Sequence, residues 1–206
     1  MTTHVPTQPA QPDVACLRGI DGSVILLDVT TWSSAAGPVE RRRLAEVEGP
    51  VLDVGCGPGR LVVALAEQGI PALGLDASPV AVDQATARAA PALLRSVFEP
   101  LPGTGRWRTA LLFDGNIGIG GDPPRLLRRM RELLSVGGRL VVEVDPPGSG
   151  VRHLPVRVER AGQVSDWFPW AQVDADAIGA LATEAGFTPG STFEDQGRWF
   201  TDLWNR

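Results

Sequence analysis

A glycine-rich segment, VLDVGCGPGR at residues 51–60, has the residue types and spacing best suited to bind a ligand. Its glycines are Gly55, Gly57 and Gly59. Glycine permits a tight turn there, and it lets a ligand lie directly against backbone N–H groups at the start of a helix. The pattern is G-x-G-x-G with Asp53 before it, whereas the dinucleotide pattern G-x-G-x-x-G would need a glycine at Arg60.

The elements that must position this segment alternate along the chain from residue 38 onwards. Helices are predicted at residues 38–47, 60–68, 79–89, 123–134 and 175–186. Strands are predicted at residues 51–54, 72–75, 93–97, 109–113, 139–144, near 192 and at 198–204. Strands separated by helices of this length indicate right-handed crossovers, and therefore a parallel sheet with helices on both faces.

Two segments lie outside that alternation. Residues 14–36 contain SVILLDVTTW, which predicts a strand in an N-terminal extension, and residues 151–172 predict a hairpin that turns at Ala161-Gly162. Such a hairpin is either a lid over the strand ends or a surface addition. The polar, proline-rich residues 1–13 are expected to form a disordered tail before a single domain at 14–206.

Length and composition favour one cytoplasmic α/β domain. A chain of 206 residues accommodates one core of this kind, and no apolar run reaches the roughly 20 residues of a membrane span. The first residues lack the features of a signal peptide, and two cysteines provide neither a disulfide framework nor a metal site. All 19 basic residues are arginine, a coding bias that suggests a GC-rich bacterial genome.

Four segments together resemble the class I S-adenosylmethionine-dependent methyltransferases. LDVGCGPGR is similar to the first motif of that family, LGLDASP at 73–79 to its second-strand end, and VFEPLP at 97–102 to its third-strand end. LLSVGGRLVVEV at 133–144 resembles its fifth strand, although Ser135 and Val136 depart from the common pattern. The resemblance implies a Rossmann-like, seven-stranded, mostly parallel sheet with helices on both faces, six strands being parallel and the seventh antiparallel.

The same resemblance implies S-adenosylmethionine as the cofactor and assigns the residues that bind it. They are Asp53, Gly55, Cys56, Gly57, Gly59, Asp76, Ala77, Val97, Phe98, Glu99, Asp114, Gly115 and Asn116. Asp76 is expected to hold both ribose hydroxyls, since one carboxylate can accept two such hydrogen bonds. Phe98 is available to stack on the adenine and Glu99 to bind its amine. Asp53 either contacts the cofactor or organises the loop by accepting backbone N–H bonds.

No catalytic residue is obligatory, because the sulfonium is already activated and positioning does most of the work. Asp114 and Asn116 are candidates to hold the methionine ammonium, orient the substrate or act as a base; alternatively, their segment is only a glycine-rich loop. An oxygen nucleophile would need a base, and the candidates are Asp114, Glu143, Asp145 and His153. The aromatic residues that either wall a substrate pocket or pack on the sheet are Trp167, Phe168 and Trp170.

The sequence thus predicts methyl transfer to a small-molecule acceptor. A nucleic-acid acceptor is disfavoured because the net charge is −5 and the expected strand ends are acidic. No membrane partner is expected, and the oligomeric state stays open. The alternatives are a non-catalytic module that binds S-adenosylmethionine and a nicotinamide-dependent oxidoreductase, the second of which Arg60 opposes.

Overall fold

The computed structural model describes residues 15–206, so the tail predicted for residues 1–13 lies outside the described residues. In chain order the elements are β1 (Ala15–Gly19), β2 (Val24–Leu27), α1 (Val29–Trp32), α2 (Pro38–Leu44), β3 (Val51–Val54), α3 (Arg60–Glu67), β4 (Ala72–Asp76), α4 (Pro79–Ala87), β5 (Ala92–Leu94), β6 (Trp107–Leu112), a 3-10 helix (Asn116–Gly121), α5 (Pro123–Leu133), β7 (Leu134–Val144), β8 (Val151–Arg160), β9 (Gln163–Val164), β10 (Phe168–Val173), α6 (Ile178–Glu184), β11 (Thr188–Asp195) and β12 (Arg198–Trp204).

Seven strands form the central sheet in the order β11-β12-β7-β6-β3-β4-β5. The pairs from β7 to β5 are all parallel, while β12 is antiparallel to both β7 and β11. Six strands therefore run in one direction and β12 runs in the other. This arrangement confirms the predicted fold class.

Helices α2, α3, α5 and α6 cover the two faces of the central sheet and bury apolar side chains against it. On one face α5 packs through Leu126, Leu127, Met130 and Leu133, beside α6. On the other face α2 and α3 pack against the opposite sides of the same strands. Arg128 and Arg131 lie on the exposed side of α5, so part of its arginine run is a solvated face.

A second, antiparallel sheet joins the two segments that lie outside the alternation. Its order is β10-β8-β1-β2, and the short β9 also pairs with β8. The turn between β8 and β9 lies at Ala161 and Gly162, both with positive φ. Strand β8 pairs along most of its length with β1 on one side and β10 on the other. The extension and the hairpin are therefore parts of one sheet.

Several predicted boundaries differ from the structure. The strand predicted within SVILLDVTTW ends at Leu27, because the Asp28 side chain accepts a hydrogen bond from Thr31 N at 2.9 Å and starts α1. The strand predicted at 93–97 is β5, which ends at Leu94 before a turn in which Ser96 N donates to Glu99 Oε2. None of the helices in residues 15–206 has the length and apolar character needed to cross a membrane.

Candidate functional site

The glycine loop follows β3 at the edge of the sheet where the parallel strands end. Gly55, Gly57 and Gly59 all have positive φ, at 74°, 53° and 80°. A Cβ at Gly55 would lie 2.4 Å from Asn116 Nδ2, and one at Gly59 would lie 2.7 Å from the Ala90 Cβ. A Cβ at Gly57 would meet nothing within 4 Å. Gly55 and Gly59 are thus needed for internal packing, while Gly57 leaves open space for a ligand.

Asp76 ends the neighbouring strand β4 and touches the same loop. Its Oδ2 accepts from Gly57 N at 2.9 Å, and its Oδ1 accepts from Ser78 N at 2.8 Å. Ser78 in turn caps α4 by accepting from Ala81 N. Each carboxylate oxygen of Asp76 has one backbone partner and keeps a second lone pair for another donor.

The segment after β6 is fixed to the glycine loop by Asn116. Its Nδ2 donates to the carbonyls of Val54 and Gly55, at 2.9 and 3.0 Å. Asp114, which has a positive φ of 54°, donates its N–H to Glu143 Oε2 at 2.7 Å. The predicted neighbours Asn116 and Gly55 are therefore brought together, and the Asn116 amide donors are already used.

A network of five charged side chains lies at these strand ends. Arg60 Nη2 is 2.6 Å from both Glu40 Oε1 and Asp114 Oδ2. Arg198 Nη1 is 2.9 Å from Glu40 Oε1, and its Nη2 is 2.6 Å from Glu143 Oε2 and 3.2 Å from Asp114 Oδ1. Three carboxylates are thus held by two guanidinium groups.

This arrangement shifts the pKa values of Glu40 and Asp114. Burial alone would raise the pKa of Glu40, but its bonds to Arg60 and Arg198 lower that pKa to about 2. Burial raises the pKa of Asp114, and the nearby Glu143 adds to this effect while Arg60 opposes it. Asp114 is therefore a restrained member of an ion network, an arrangement that differs from that of an isolated base.

Sequence analysis missed the roles of Glu40 and Arg198 in this site. They are 158 residues apart and belong to no shared motif. One signal was present, since Arg60 occupies the first position of α3, where the helix dipole disfavours a cation. A buried acid that compensates Arg60 could have been expected on that ground.

Asp53 is a buried carboxyl group below the glycine loop. Its side chain is 2% exposed, and its Oδ2 is buried without a hydrogen-bond partner. Burial raises its pKa to about 7, and the neighbouring charges of Asp114 and Asp76 contribute. Among the described residues, no N–H group of the glycine loop donates to Asp53. The structure therefore does not support the prediction that Asp53 organises the loop by accepting such bonds.

Cys56 is buried in the same loop, packed beside Val62, Ala85 and Ala90. Its Sγ is 3.6 Å from the carbonyl of Gly57. Burial raises the pKa of the thiol, and nearby Asp53 strengthens this effect, so the nucleophilic thiolate is disfavoured. This environment agrees with a small loop residue and with no covalent role.

Two adjoining cavities open at the strand ends. The loop cavity has a volume of about 610 Å³ and lies over the glycine loop, β4 and the turn after β5. The sheet cavity has a volume of about 650 Å³ and lies between the strand ends and the second sheet. Residues on the walls of both are Trp32, Gly57, Asp76, Ser78, Asp114, Asn116, Phe168 and Trp170.

Most predicted cofactor residues line these cavities. Those on the loop cavity are Gly55, Cys56, Gly57, Asp76, Ala77, Val97, Asp114 and Asn116, and Gly115 lines the sheet cavity. Asp53, Gly59, Phe98 and Glu99 line neither. The Phe98 ring lies under the Arg125 guanidinium at 4.3 Å, and Glu99 Oε2 accepts from Ser96 N at 2.7 Å. The predicted Val97 lines this wall beside Ser96, while Phe98 and Glu99, which were expected there as well, do not.

Of the three aromatic residues predicted at 167–170, two lie on β10 and line the cavities, while Trp167 precedes that strand. Phe168 and Trp170 line both cavities and contact each other edge to face, with ring centroids 6.2 Å apart. Trp167 is 46% exposed and lies 4.9 Å from the Arg157 guanidinium. His153, a predicted base candidate, is exposed, lines neither cavity and has its Nδ1 2.8 Å from Gly121 O. That position does not suit a base.

Within residues 15–206 no group of three or more His, Cys, Asp or Glu side chains is arranged to hold a metal ion. Both cysteines are free.

A family model described as a methyltransferase domain matches residues 35–191 of the chain. The match includes the glycine loop, Asp76 and the segment after β6. No curated protein sequence matches the chain.

Solved structures of methyltransferases share this fold. A SAM-dependent methyltransferase from Bacteroides fragilis, in complex with S-adenosyl-L-homocysteine, has a TM-score of 0.80 and 22% identity, over 94% of this chain and 88% of that one. A sugar N-methyltransferase from Streptoalloteichus has a TM-score of 0.64 and 19% identity, covering 100% of both chains. The 1,6-didemethyltoxoflavin-N1-methyltransferase of Burkholderia thailandensis has a TM-score of 0.61 and 20% identity, over 86% and 80%.

Proposed function

The chain belongs to the methyltransferase domain family, whose enzymes use S-adenosylmethionine, and from that premise we propose that it methylates a small-molecule acceptor. The observation that carries the proposal is the pair of adjoining cavities at the strand ends. One lies on the glycine loop and Asp76, and the other lies beneath the second sheet. A cofactor in the first and an acceptor in the second would meet at their shared wall.

The residues present fit S-adenosylmethionine in the loop cavity. Gly57 offers an open backbone surface, and Asp76 retains one lone pair on each oxygen for the ribose hydroxyls. The buried Asp53 places a carboxyl group behind the loop, where a bound ammonium would favour its charged form. The predicted Val97 would border the adenine, together with Ser96 in place of Phe98 and Glu99.

When bound, S-adenosylmethionine supplies a methyl group that is already activated for transfer. The chain's own residues would hold the reactants in line and keep water out. Asn116 fixes the segment after β6 to the glycine loop, and Arg60 and Arg198 fix Asp114. Phe168 and Trp170 cover the shared wall with apolar surface. We therefore propose positioning roles for Asp114 and Asn116.

The experiment that tests this function is calorimetric titration with S-adenosylmethionine and S-adenosylhomocysteine, followed by mass spectrometry of a small-metabolite extract incubated with the protein. We expect both ligands to bind and a product heavier by one methylene unit to form. Binding without any product would favour a non-catalytic module. Binding of a nicotinamide cofactor in their place would favour an oxidoreductase.

Charge supports a small molecule over nucleic acid as the acceptor. The chain carries a net charge of −5, and the sheet cavity is lined by Asp76, Asp114, Glu143 and Asp145, which would repel phosphates. Fluorescence anisotropy with labelled RNA and DNA at low salt tests this, and micromolar, salt-sensitive binding would contradict it.

We further propose that the chain forms a single domain of a bacterial, cytoplasmic protein, and that its second sheet is a lid over the strand ends. The two free, buried cysteines agree with a reducing compartment.

A further inference from the structure

The sheet cavity has an apolar roof. Side chains of β1, β2, β8 and β10 point to the same face of the second sheet and pack together. Those that line the cavity are Leu17, Ile25, Leu27, Val158, Phe168 and Trp170. At about 650 Å³, the cavity lies within the size range of small-molecule sites, and such a roof would cover the hydrophobic body of a ligand.

The floor of the same cavity is acidic. It includes Asp114, Glu143 and Asp145, contributed by the end of β7 and the segment after β6. Arg198 is paired with both Asp114 and Glu143, at 3.2 and 2.6 Å. Two of these three carboxylates therefore have a cationic partner.

Asp145 differs from the other two carboxylates. Its Oδ2 accepts one hydrogen bond, from Gln172 Nε2 at 3.1 Å, and its Oδ1 has no hydrogen-bond partner among residues 15–206. Arg152 and Arg160 lie on the second sheet. Arg152 forms an ion pair with Asp21, with Nη2 and Oδ2 3.3 Å apart, and Arg160, which also lines the cavity, has an interaction elsewhere. A half-buried carboxylate with a single neutral partner is thus left beside an apolar cavity, where a cationic or N–H donor would be favoured.

We propose that the acceptor is a small hydrophobic amine, whose nitrogen donates to Asp145 Oδ1 while its apolar body lies beneath Phe168 and Trp170. This inference rests on the methyl-transfer function proposed above. It adds the chemical class of the acceptor and the residue that recognises its reacting group.

The charge balance of the reaction favours nitrogen over an anionic nucleophile. The bound ammonium ion first gives one proton to Asp145 and from there to solvent. The nitrogen lone pair that this frees forms the new N–C bond, the carbon–sulfur bond breaks with its electron pair left on sulfur, and the positive charge moves to nitrogen. Carboxylates on the floor stabilise the charge that arrives there. They would destabilise a phenolate, carboxylate or thiolate brought to the same place. The methylated nitrogen can then pass its proton to Asp145 and from there to solvent.

The groups around Asp145 are consistent with this proton acceptance. Burial raises its pKa, and the charges of Asp174 and Glu143 act in the same direction, against the Gln172 bond and the more distant Arg152. Asp174 itself is held by the backbone N–H groups of residues 148–150. A carboxyl group in this setting accepts a proton more readily than one in water.

Calorimetry with matched probes tests the proposal. S-adenosylhomocysteine is first titrated into the protein, and its binding tests the loop cavity independently of the acceptor. With that ligand saturating, tryptamine and 2-phenylethylamine are compared with tryptophol and 2-phenylethanol, which replace the amine by a hydroxyl group. We expect each amine to bind at least about tenfold more tightly than its alcohol, because its hydrogen bond to the carboxylate is charge-assisted.

The Asp145→Asn variant should lose that preference while its alcohol affinities stay unchanged. Asn retains an acceptor for Gln172, so folding is expected to be preserved, and unchanged S-adenosylhomocysteine affinity would verify this. Asp176→Asn removes the same charge from an exposed aspartate and should leave the preference intact. If S-adenosylhomocysteine binds but the amines show no preference, or if both variants behave alike, this inference is wrong. If S-adenosylhomocysteine does not bind, the proposed function itself fails.

Discussion

Three aspartates around the glycine loop have the same chemistry but different environments. Asp76 accepts two backbone N–H bonds, Asp114 is held by Arg60 and Arg198, and Asp53 is buried with an unpartnered oxygen. Their surroundings therefore predict different consequences when each is replaced. Asp76 and Asp114 hold the loop segments in position. The buried charge of Asp53 is unfavourable, and either a bound cation or protonation would relieve it.

Asp76→Ala is expected to weaken S-adenosylhomocysteine binding by about 2–3 kcal/mol, because two hydrogen bonds to a charged acceptor are lost. Titration calorimetry measures the change. Asp83→Ala, which removes an exposed aspartate from the neighbouring α4, is the control and should bind as the wild type does. Unchanged affinity in the Asp76→Ala variant would refute the ribose assignment.

Asp53→Asn is expected to make the free energy of unfolding less dependent on pH. The pKa of Asp53 is about 7 in the fold, against 3.8 for an unperturbed carboxyl group. Because the folded pKa is raised, its stabilising contribution is complete below about pH 4 and is lost as the pH rises through about 7.

Urea denaturation at about pH 5 and about pH 8 measures this dependence. The wild type should lose about 2–3 kcal/mol relative to the variant between these two values. Comparison at each pH with the variant cancels the titration of the other carboxyl groups. An equal difference between the two proteins at both pH values would show that Asp53 does not titrate as the structure requires.

At the scale of elements, the segment after β6 is glycine-rich because β10 packs directly against it. A Cβ at Gly118 would lie 2.2 Å from Ala171 O, and one at Gly121 would lie 2.7 Å from the Pro169 Cβ. The 3-10 helix that borders both cavities is therefore in contact with the second sheet. This contact couples the position of the roof to the segment that carries Asn116.

Gly118→Ala is expected to destabilise the protein by about 1–3 kcal/mol, since the added methyl group meets backbone that cannot rotate away. Gly179→Ala is a matched control within α6, where a Cβ meets nothing within 4 Å. It should stabilise the protein by about 0.5–1 kcal/mol through a lower entropy cost of folding. Urea denaturation measures both, and equal stabilities for the two variants would contradict the packing.

At the scale of the whole molecule, one charge network connects distant parts of the chain. Glu40 comes from α2, Arg60 from α3, Asp114 from the end of β6, Glu143 from β7 and Arg198 from β12. The network therefore links β12, the last strand in the chain, to α2, the first helix that packs on the central sheet. The same network determines where Asp114 lies at the wall of both cavities.

Arg198→Met is expected to cost about 3–5 kcal/mol of stability, because it leaves the largely buried Glu143 without a cationic partner and leaves Glu40 and Asp114 with Arg60 alone. Arg42→Met is the control, since Arg42 forms a half-exposed ion pair with Asp195 at 2.6 Å. That pair should contribute at most about 1 kcal/mol. Similar losses in both variants, measured by urea denaturation, would show that the network does not act as a buried unit.

The sequence by itself determined the features that depend on neighbouring residues. The periodicity of apolar residues predicted the helices and parallel strands, because such patterns report burial and backbone conformation locally. The loop glycines and Asp76 predicted which edge of the sheet binds the cofactor. The expected roles of Phe98 and Glu99 were also read locally. The structure does not support these two roles. Strand β5 ends at Leu94, the Glu99 carboxylate accepts a hydrogen bond from Ser96 N in the turn that follows, and the Arg125 guanidinium stacks on the Phe98 ring.

Only the tertiary structure decided which distant residues share a site. The pairing of β1 with β8 made one roof from an extension and a hairpin, and Arg198 reached Glu40 across 158 positions. No local pattern encodes such contacts, because strand partners and ion pairs are chosen by the free energy of the whole packed arrangement. The apolar roof and the acidic floor at Asp145 exist only once those distant segments have come together.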